Sequence, residues 1–269
     1  MNFITHTDAD GILSALLFKE YNPEHDFKGF YNLQTFYLTG LLEKEDVAID
    51  LDMDMMNCIG HHINPIENPA AENPNNRFLK DKHDEFYHKC PFNTALLLVD
   101  KYKIPVKNKR SLALLLLADG FYLILQKYKG NCKTWLERYN LKWIMEEYEK
   151  NPEIYNKIIF EDIVPIFSKA GAPNGLKAKF SEDGTLVTRD TIKTFSKYVI
   201  DAFDLKNVDE DMFNIKYSFI DKYKTIEKTV NTKQEYLDLV NELKGQQLIS
   251  SALVNKNKMK ITYKDSLIV

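Results

Sequence analysis

The segment THTDADGILSALL, residues 5–17, places one histidine and two aspartates within five residues and then turns apolar. It follows a short apolar segment, residues 1–5, of the kind that forms a buried strand. Residues 11–20 carry apolar side chains at helical spacing, and a polar turn follows them. The segment therefore predicts a strand, a tight turn that carries potential ligands, and a buried helix.

The acidic residues of this turn have two explanations. Asp8 and Asp10 are separated by one residue and cannot share one helix face, but at a strand end their carboxylates can converge on one cation or on two. Gly11 lets the chain turn sharply and leaves space for a ligand. The alternative is structural, because Asp10 and Thr7 are residue types that cap the N-terminus of a helix.

A second acidic segment, AIDLDMDMMNCIGHHI at residues 48–63, ends in a histidine pair. Asp50 and Asp52 follow apolar residues, as acids do where a buried strand ends at a site. Adjacent histidines on a strand point to opposite faces, so one of His61 and His62 could bind a metal while its neighbour reaches a substrate or the core. The alternative is an acidic surface strand beside one buried, hydrogen-bonded histidine.

A third acidic position, Asp119, interrupts the apolar sequence SLALLLLADGFYLIL. A carboxylate buried alone in such a segment is costly, so it needs a cation, a base or several hydrogen-bond donors. The alternative is a helix break at 119–120 that leaves the aspartate exposed.

The pattern of the first 165 residues indicates an α/β layer on a parallel sheet, because strand and helix signals alternate there. A Pro- and Asn-rich segment, 63–76, predicts a loop. The predicted strands cover 28–33 and 45–53, and the predicted helices cover 93–103, 109–128 and parts of 134–168.

The pattern restarts after residue 180 and predicts a second, smaller α+β unit. Residues 166–179 hold two glycines and a proline and are the predicted linker, so the predicted domains are 1–165 and 180–269. Within the second unit we predict a hairpin that turns at Asp183–Gly184, helices over 190–203 and 232–244, and strands over 212–220 and 258–263.

The composition is typical of a soluble globular protein, with 269 residues, 44% hydrophobic and 28% charged. The net charge of −3 gives no indication of a nucleic-acid coat. No apolar run reaches the roughly 18 residues of a membrane span, and the N-terminus lacks the pattern of a signal peptide. The three cysteines form no C-x-x-C pair, which fits a reducing compartment. We therefore expect a cytoplasmic protein without a membrane partner.

The order and spacing of these motifs resemble the DHH phosphoesterase superfamily. The resemblance covers about residues 1–130: an Asp-x-Asp-Gly motif, an aspartate after a strand about 40 residues later, a histidine pair, and an Asp-Gly within apolar helical sequence. That superfamily includes RecJ-type exonucleases, oligoribonucleases, cyclic-dinucleotide phosphodiesterases, exopolyphosphatases and manganese-dependent inorganic pyrophosphatases.

The resemblance implies a parallel-sheet DHH-type N-terminal domain that holds two divalent ions, Mn²⁺ or Mg²⁺. Oxygen and imidazole ligands without thiolate suit these ions, and two such ions can clamp the oxygens of an in-line phosphoryl displacement. Asp50 and Asp52 compete for one ligand position. His62 would lie nearer the scissile phosphate, with His61 and Asp10 as the other catalytic residues. The implied metal ligands are His6, Asp8, Asp10, Asp50, Asp52, His61 and Asp119.

One position departs from the family pattern, because Gly60 stands where the motif that names the family begins with aspartate. The resemblance implies that this aspartate is a supporting ligand rather than a sole one. A metal site could survive its loss with a less firmly oriented histidine. Asp52 or Asp54 could take its place.

The sequence after residue 165 lacks the Gly-Gly-His signature that many relatives carry in a second domain. Lys169, Asn174 and Lys177 are the candidate substrate-binding residues in the corresponding region. Two further sets of residues each have two explanations. A set of lysines could bind phosphates or could protect a solvated sheet edge from pairing. A set of aromatic residues could stack on bases or could pack in the core. The lysines are Lys256, Lys258 and Lys260, and the aromatics are Phe180, Phe213, Tyr217 and Phe219.

The sequence thus predicts a two-domain metallophosphoesterase that hydrolyses phosphodiester bonds in short oligonucleotides or small, including cyclic, nucleotides. The absence of a basic stripe argues against an enzyme that grips long DNA. Two alternatives stay open: a phosphoanhydride hydrolase acting on pyrophosphate or polyphosphate, and a non-catalytic nucleotide-binding protein that retains the fold. A homodimer is also left open.

Overall fold

A computed structural model of the protein describes residues 1–54, 56–66, 68–168, 175–244, 246 and 248–263. These residues form two β-sheets, of seven and of three strands, together with helices. The strands are β1 (Asn2–His6), β2 (Asp26–Tyr31), β3 (Thr35–Leu38), β4 (Val47–Ile49), β5 (Asn57–Ile59), β6 (Ala71–Glu72), β7 (Phe219–Lys222), β8 (Lys224–Thr229), β9 (Leu248–Asn255) and β10 (Lys258–Tyr263).

The helices are concentrated in the middle of the chain. They are α1 (Ala9–Tyr21), α2 (Pro74–Phe78), α3 (Thr94–Tyr102), α4 (Lys109–Leu117), α5 (Phe121–Lys127), α6 (Lys129–Arg138), α7 (Lys142–Lys150), α8 (Pro152–Lys157), α9 (Val164–Ser168), α10 (Arg189–Phe203) and α11 (Lys233–Leu243). Short 3₁₀ turns lie at Phe86–His88 and Ala118–Gly120, and a π-helical turn, Ile158–Ile163, joins α8 to α9.

The larger sheet has the strand order β6-β5-β4-β1-β2-β3-β7. The neighbouring strands β6, β5, β4, β1 and β2 pair in parallel. Strands β3 and β7 then extend the sheet with antiparallel pairing. The predicted mixed α/β class with a mostly parallel sheet is confirmed. The smaller sheet, β8-β10-β9, is antiparallel.

The predicted alternation of strand and helix over the first 165 residues is wrong. Strands β1 to β6 all lie within the first 72 residues, and α1 is the one helix among the described residues of that stretch. Segment 63–76 is also more than a loop, because it contains β6 and begins α2. Proline is favoured at the first turn of a helix, and Pro74 occupies that position in α2.

The main core lies on one face of the larger sheet, where α1 packs against α3, α10 and β1. Residues 10–18 of α1 are buried on all sides, which agrees with the mainly apolar sequence from Ile12 to Phe18. The predicted helix 109–128 is divided at Asp119, which has a φ of 52°, into α4 and α5. The three cysteines are buried and free.

The boundary between the two hydrophobic cores lies further along the chain than the predicted linker at 166–179. Residues of 176–217 belong to the main core, and β7 completes the larger sheet beside β3. The smaller sheet and α11 form a separate cluster around Leu243, Met259 and Ile261. The predicted strand 212–220 is wrong over 212–218, since β7 begins only at Phe219 and continues to Lys222, whereas 258–263 is β10 as predicted. The second α+β unit therefore begins near residue 224 rather than 180, because α10 and the segment after it bury their apolar faces on the first unit.

No single helix among the described residues is both long and apolar enough to cross a membrane. The pair Lys109–Lys127 and Lys129–Arg138, bent by 115°, meets the length and composition test only when taken together.

Gly11 determines how closely α1 approaches the end of β1. A Cβ at this position would lie 2.4 Å from the His6 carbonyl oxygen. The Thr5 hydroxyl also donates to the Gly11 carbonyl at 2.7 Å. The helix can therefore start against the strand only where residue 11 has no side chain.

We predict that Gly11→Ala destabilises the protein by about 1–3 kcal/mol, because backbone atoms would have to move apart. Gly130→Ala in α6 is the matched control, since a Cβ there meets nothing within 4 Å and alanine favours a helix by about 0.5–1 kcal/mol. Urea unfolding of both variants measures the difference. Equal stability of the two variants would contradict the close approach.

Candidate metal centre

The site lies where three neighbouring parallel strands end. His6 is the last residue of β1, Asp50 follows β4 directly, and His61 lies two residues beyond β5. In the sheet order β5-β4-β1 these strands are adjacent, so their carboxyl ends present the three side chains at one edge. Ligand sites of open α/β sheets lie at this edge.

The N-termini of two helices supply further parts of the site. Asp8 caps α1, because its Oδ1 accepts a hydrogen bond from Gly11 N–H at 3.0 Å. Asp10, in the first turn of α1, accepts from the backbone N–H groups of Thr94 (2.7 Å) and Ala95 (3.1 Å) at the start of α3. The cap of α1 is thus Asp8 and not Asp10 or Thr7. The cap uses Oδ1 only, so it leaves Oδ2 of Asp8, 2.7 Å from His6 Nδ1, in a group that could hold a cation.

Two of the acids sit on left-handed backbone. Asp50 has a φ of 57° and Asp119 a φ of 52°. Such a conformation is costly for residues other than glycine, and it is concentrated at functional sites. At Asp119 it breaks the helical run between α4 and α5 and directs the carboxylate toward His61. The predicted helix break and the predicted ligand are therefore the same feature.

Two groups of ligand atoms are close enough together to hold a cation each. In each group the nitrogen and oxygen atoms lie within 4.8 Å of one another. The first group is His6, Asp8 and Asp50, and the second is Asp10, His61 and Asp119.

Asp50 lies between these two groups. Its Oδ2 is 4.0 Å from His6 Nδ1, and its Oδ1 is 3.7 Å from His61 Nδ1. A third set of mutually close atoms joins it to both His61 and His62. Asp50 thus belongs to the first group and to this third set, whereas Asp52 belongs to none of the three.

Thr94 selects the proton position on His61. Its hydroxyl has one proton, which it donates to Asp50 Oδ1 at 2.8 Å. The same hydroxyl oxygen lies 3.1 Å from His61 Nδ1 and can accept only if that nitrogen carries hydrogen. The other ring nitrogen, Nε2, lies 2.9 Å from Asp119 Oδ2, so it is the nitrogen that a cation held with Asp119 would meet in place of a proton. This is how ligating histidines are usually oriented.

The electrostatics of the cluster show the cost of placing these acids together. Burial, with the neighbouring Asp119 and Asp8 charges, raises the pKa of Asp10 to about 6. Burial and the charges of Asp10 and Asp8 raise the pKa of Asp50 well above its ordinary value. Like charges in a poorly solvated place disfavour ionisation. Cations held among these carboxylates would remove that cost.

The remaining two acids of the cluster are stabilised in their ionised forms. Burial opposes ionisation of Asp8, but the charge of His6, 2.7 Å away, and its hydrogen bond hold the pKa of Asp8 well below the ordinary value. Burial also opposes ionisation of Asp119, and the hydrogen bond and charge of His61 lower its pKa.

The histidine pair does not point to opposite faces as predicted. Both residues follow β5 outside the strand, and their rings lie 4.2 Å apart, tilted by 32°. The difference in environment is nevertheless as expected, since the His62 side chain is 44% exposed and that of His61 is 10% exposed. His61 therefore belongs to the cluster, and His62 faces open space beside it.

Asp52 positions His62 instead of joining the two ligand groups. Its Oδ2 accepts from the His62 backbone N–H at 3.0 Å and lies 3.2 Å from His62 Nδ1. Burial lowers the pKa of His62, but the hydrogen bond and charge of Asp52 outweigh it and raise that pKa. A Cβ added at Gly60 would lie 2.6 Å from Asp52 Oδ2. The Asp52 carboxylate thus lies where a side chain of residue 60 would begin.

Two asparagines from the Pro- and Asn-rich segment fix the backbone of the histidine pair. Asn73 Nδ2 donates to Asp52 Oδ1 (2.5 Å) and to the His62 carbonyl (2.6 Å), and Asn75 Nδ2 donates to the His61 carbonyl (2.5 Å). Neither asparagine, nor Thr94, was predicted as a site residue. Their types are common in turns and helix caps, so no pattern in the sequence distinguishes them.

Two cavities open on either side of the cluster. The first, about 250 Å³, is lined by His6, Asp50, Asp52 and His62 and by the smaller sheet. The second, about 600 Å³, is lined by Asp8, Asp10 and Asp119, by apolar residues of α5 and the π-helical turn, and by Lys177.

The remaining candidates have different outcomes. Lys169 and Asn174 lie outside the described residues. Lys177 is exposed and lines the second cavity. Lys258 pairs with Glu227, whereas Lys260 lines the first cavity. β10 is the central strand of its sheet, so the sheet-edge explanation of these lysines is wrong, and Lys256 precedes the strand.

The candidate stacking aromatics are mainly structural. Phe213 and Tyr217 are fully buried in the main core. The ring of Phe180 stacks on Tyr37 with centroids 3.8 Å apart. Phe219 is partly exposed at the start of β7 and lines neither cavity of the cluster. Core packing therefore explains their spacing.

In comparisons with known proteins, no family model matches the chain, and no curated protein matches it. The ligand groups and their surroundings therefore carry the functional argument.

We predict that Mn²⁺ raises the midpoint temperature of thermal unfolding at pH 7.5. At a Mn²⁺ concentration of 100 times its dissociation constant, binding should add about 2–3 kcal/mol to the free energy of unfolding. The increase should shrink as the pH falls through about 6, because Asp10 has a pKa of about 6 and a protonated carboxyl cannot ligate. Differential scanning fluorimetry from pH 8 to 5 measures this. An increase that is independent of pH, or retained in Asp119→Asn, would exclude the cluster as the binding site.

We also predict that Gly60→Ala destabilises the protein by about 1–3 kcal/mol, because its Cβ meets the Asp52 carboxylate. In an Asp52→Ala background the penalty should fall by at least about 0.5 kcal/mol. Gly40→Ala is the control, since nothing lies within 4 Å of a Cβ there, and its effect should add to that of Asp52→Ala. If the destabilisations by Gly60→Ala and Asp52→Ala were strictly additive, a Cβ at position 60 would not contact the Asp52 carboxylate.

Proposed function

We propose that the chain is a divalent-metal-dependent phosphoesterase of the DHH type that hydrolyses phosphodiester bonds in short oligonucleotides or small nucleotides. The observation that carries this proposal is that two groups of ligand atoms lie side by side at the carboxyl ends of the parallel strands. They are His6–Asp8–Asp50 and Asp10–His61–Asp119. A pair of adjacent cation positions is what a two-ion centre for phosphoryl transfer requires.

The donor set fits two Mn²⁺ or Mg²⁺ ions. It consists of carboxylate oxygens and imidazole nitrogens, and the three buried cysteines lie outside both groups. The four acids carry four negative charges, which two divalent ions would neutralise. Thr94 contacts Nδ1 of His61, so Nε2, beside Asp119, is the ring nitrogen that would ligate. Bound there, such ions supply a water of lowered pKa and charge for the oxygens of a phosphate.

His62 is the residue that faces the phosphate. Asp52 holds its Nδ1, so Nε2 is the nitrogen that faces the first cavity. Because Asp52 raises the pKa of His62, the ring can keep a proton on Nε2 and donate it to a phosphate oxygen. Asn73 holds both Asp52 and the His62 backbone, which fixes the direction of that donor.

Gly60 is compatible with this activity. The family pattern has an aspartate at this position, and in this chain a carboxylate from Asp52 occupies the adjacent volume and contacts the histidine pair. The support of the histidines is therefore supplied by another residue. This favours turnover over the alternative of a binding protein that has lost it.

The test is hydrolysis of a panel containing dinucleotides, cyclic dinucleotides and pyrophosphate in the presence of Mn²⁺. Asp8→Asn and Asp119→Asn should each lower kcat/KM on the dinucleotides by about 100-fold or more, since even residues that only support a ligand contribute about 10–100-fold. Asp238→Asn, an exposed substitution on α11 outside both cavities, is the control.

Three results would contradict the proposal or change it. Preferential hydrolysis of pyrophosphate would favour a phosphoanhydride hydrolase. Binding of Mn²⁺ without hydrolysis of any member would favour a non-catalytic nucleotide-binding protein. Unchanged rates in folded Asp8→Asn and Asp119→Asn would show that the site assignment is wrong.

A further inference from the structure

The second cavity adjoins the cluster at Asp8, Asp10 and Asp119. Of the described residues that line it, none belongs to the smaller sheet. Its volume of about 600 Å³ lies within the roughly 300–1,000 Å³ that is typical of pockets for small organic ligands. A group bound at the metal positions can therefore extend directly into a space that holds an organic substituent.

The lining of this cavity beyond the acids is mainly apolar. Leu123 of α5 and Phe160 of the π-helical turn are 53% and 52% exposed, although both side chains are large and apolar. An occupant that covered them would remove apolar surface from water, which is favourable. The apolar lining includes Leu117, Tyr122, Leu123, Phe160, Val164 and Phe167.

The distribution of charge in this cavity disfavours a second anionic group as its occupant. Among the described residues that line it, Lys177 alone carries a basic side chain, and Lys177 is exposed. Apolar side chains cannot replace the water around a charged group, so moving such a group among them is costly. The part of a substrate that lies beyond the metal positions on this side is therefore uncharged.

Two aromatic rings form part of the apolar lining. Tyr122 and Phe160 contact each other edge-to-face, with centroids 6.0 Å apart and ring planes at 83°. Phe160 lies in the π-helical turn, a rare form of helix that is frequent at functional sites. Aromatic side chains bind nucleobases by stacking, with little dependence on the identity of the base. A planar, uncharged nucleobase thus matches both the rings and the lack of charge.

We propose that the second cavity binds the base of one of the two nucleosides that the scissile phosphate joins, with the Phe160 ring as its stacking platform. This inference rests on the proposed function and specifies its substrate. A phosphodiester carries an organic group on each side of the phosphorus, and the cluster has a cavity on each side. Pyrophosphate has no group that would occupy the second cavity, so the substrate is a nucleoside phosphodiester, with little preference among the bases.

The first experiment compares kcat/KM in Mn²⁺ for three dinucleotides. One is intact, one lacks the base of its 5′ nucleoside, and one lacks the base of its 3′ nucleoside. Removal of one of the two bases should lower kcat/KM by about tenfold or more, mainly through KM, because a stacking contact is lost. The base whose removal has the larger effect is the one that binds in the second cavity.

Variants of Phe160 connect that effect with the cavity. Phe160→Ala should lower kcat/KM on the intact dinucleotide by about tenfold and leave it unchanged on the dinucleotide that lacks this base, since the two changes remove the same contact. Phe160→Tyr retains the ring and should keep the wild-type values. Tyr128→Ala, at an exposed aromatic position after α5 that lines neither cavity, is the control. Thermal unfolding checks the folding of each variant.

A second experiment measures binding without turnover. Its probes are dinucleotides in which methylene groups replace both bridging oxygens of the phosphate and fluorescent 2-aminopurine replaces the 5′ or the 3′ base. Because stacking on an aromatic ring quenches 2-aminopurine fluorescence, the wild type and Phe160→Tyr should quench one of the two probes in Mn²⁺. Phe160→Ala should lose this quenching, and Tyr128→Ala should retain it.

The outcomes separate this inference from the proposed function. Equal kcat/KM for all three dinucleotides, or a dependence on the base that is the same in Phe160→Ala, would overturn the base site and leave the phosphoesterase intact. Absence of any hydrolysis would contradict the proposed function, and the fluorescence experiment would then decide on the base site alone. Quenching that Phe160→Ala abolishes would support the base site, and quenching that is absent or persists in that variant would overturn it.

Discussion

Mutual repulsion among four aspartate carboxylates is the constraint on which the rest of this structure depends. Asp10 and Asp50 are buried, and the charges of their neighbours raise the pKa of each. Such a cluster is unfavourable unless donors and cations compensate it. The donors are visible: the first amide groups of α3, the Thr94 hydroxyl and the histidine rings all point at these carboxylates.

The sheet order supplies the frame for that cluster. Adjacent strands β5, β4 and β1 end at the same edge, and the start of α1 is held against β1 by the absence of a side chain at Gly11. The smaller sheet then covers the edge from outside, through Asp54, which bonds with Ser251 of β9 at 3.1 Å. The cluster thus lies in a cleft with walls from both sheets.

The motifs could be located from sequence because acids at strand ends and within apolar helices are conspicuous against their surroundings. His6, Asp8, Asp10, Asp50, His61 and Asp119 all fall in the two ligand groups. Asp52 was also predicted as a metal ligand, but it contacts His62 instead. The alternation of acidic and apolar residues over 48–54 does not show which acid faces the ligand groups and which faces His62. The late core boundary was also not predictable, because the packing of α10 on α1 depends on contacts far apart in sequence.

The most direct test of the central claim is a crystal structure of the protein with Mn²⁺, with anomalous difference density collected near the manganese absorption edge. The account predicts two peaks on either side of the Asp50 carboxylate, one beside His6 and Asp8 and the other beside Asp10, His61 and Asp119. A single peak that Asp50 does not contact, or no peak in the cluster at saturating Mn²⁺, would contradict it.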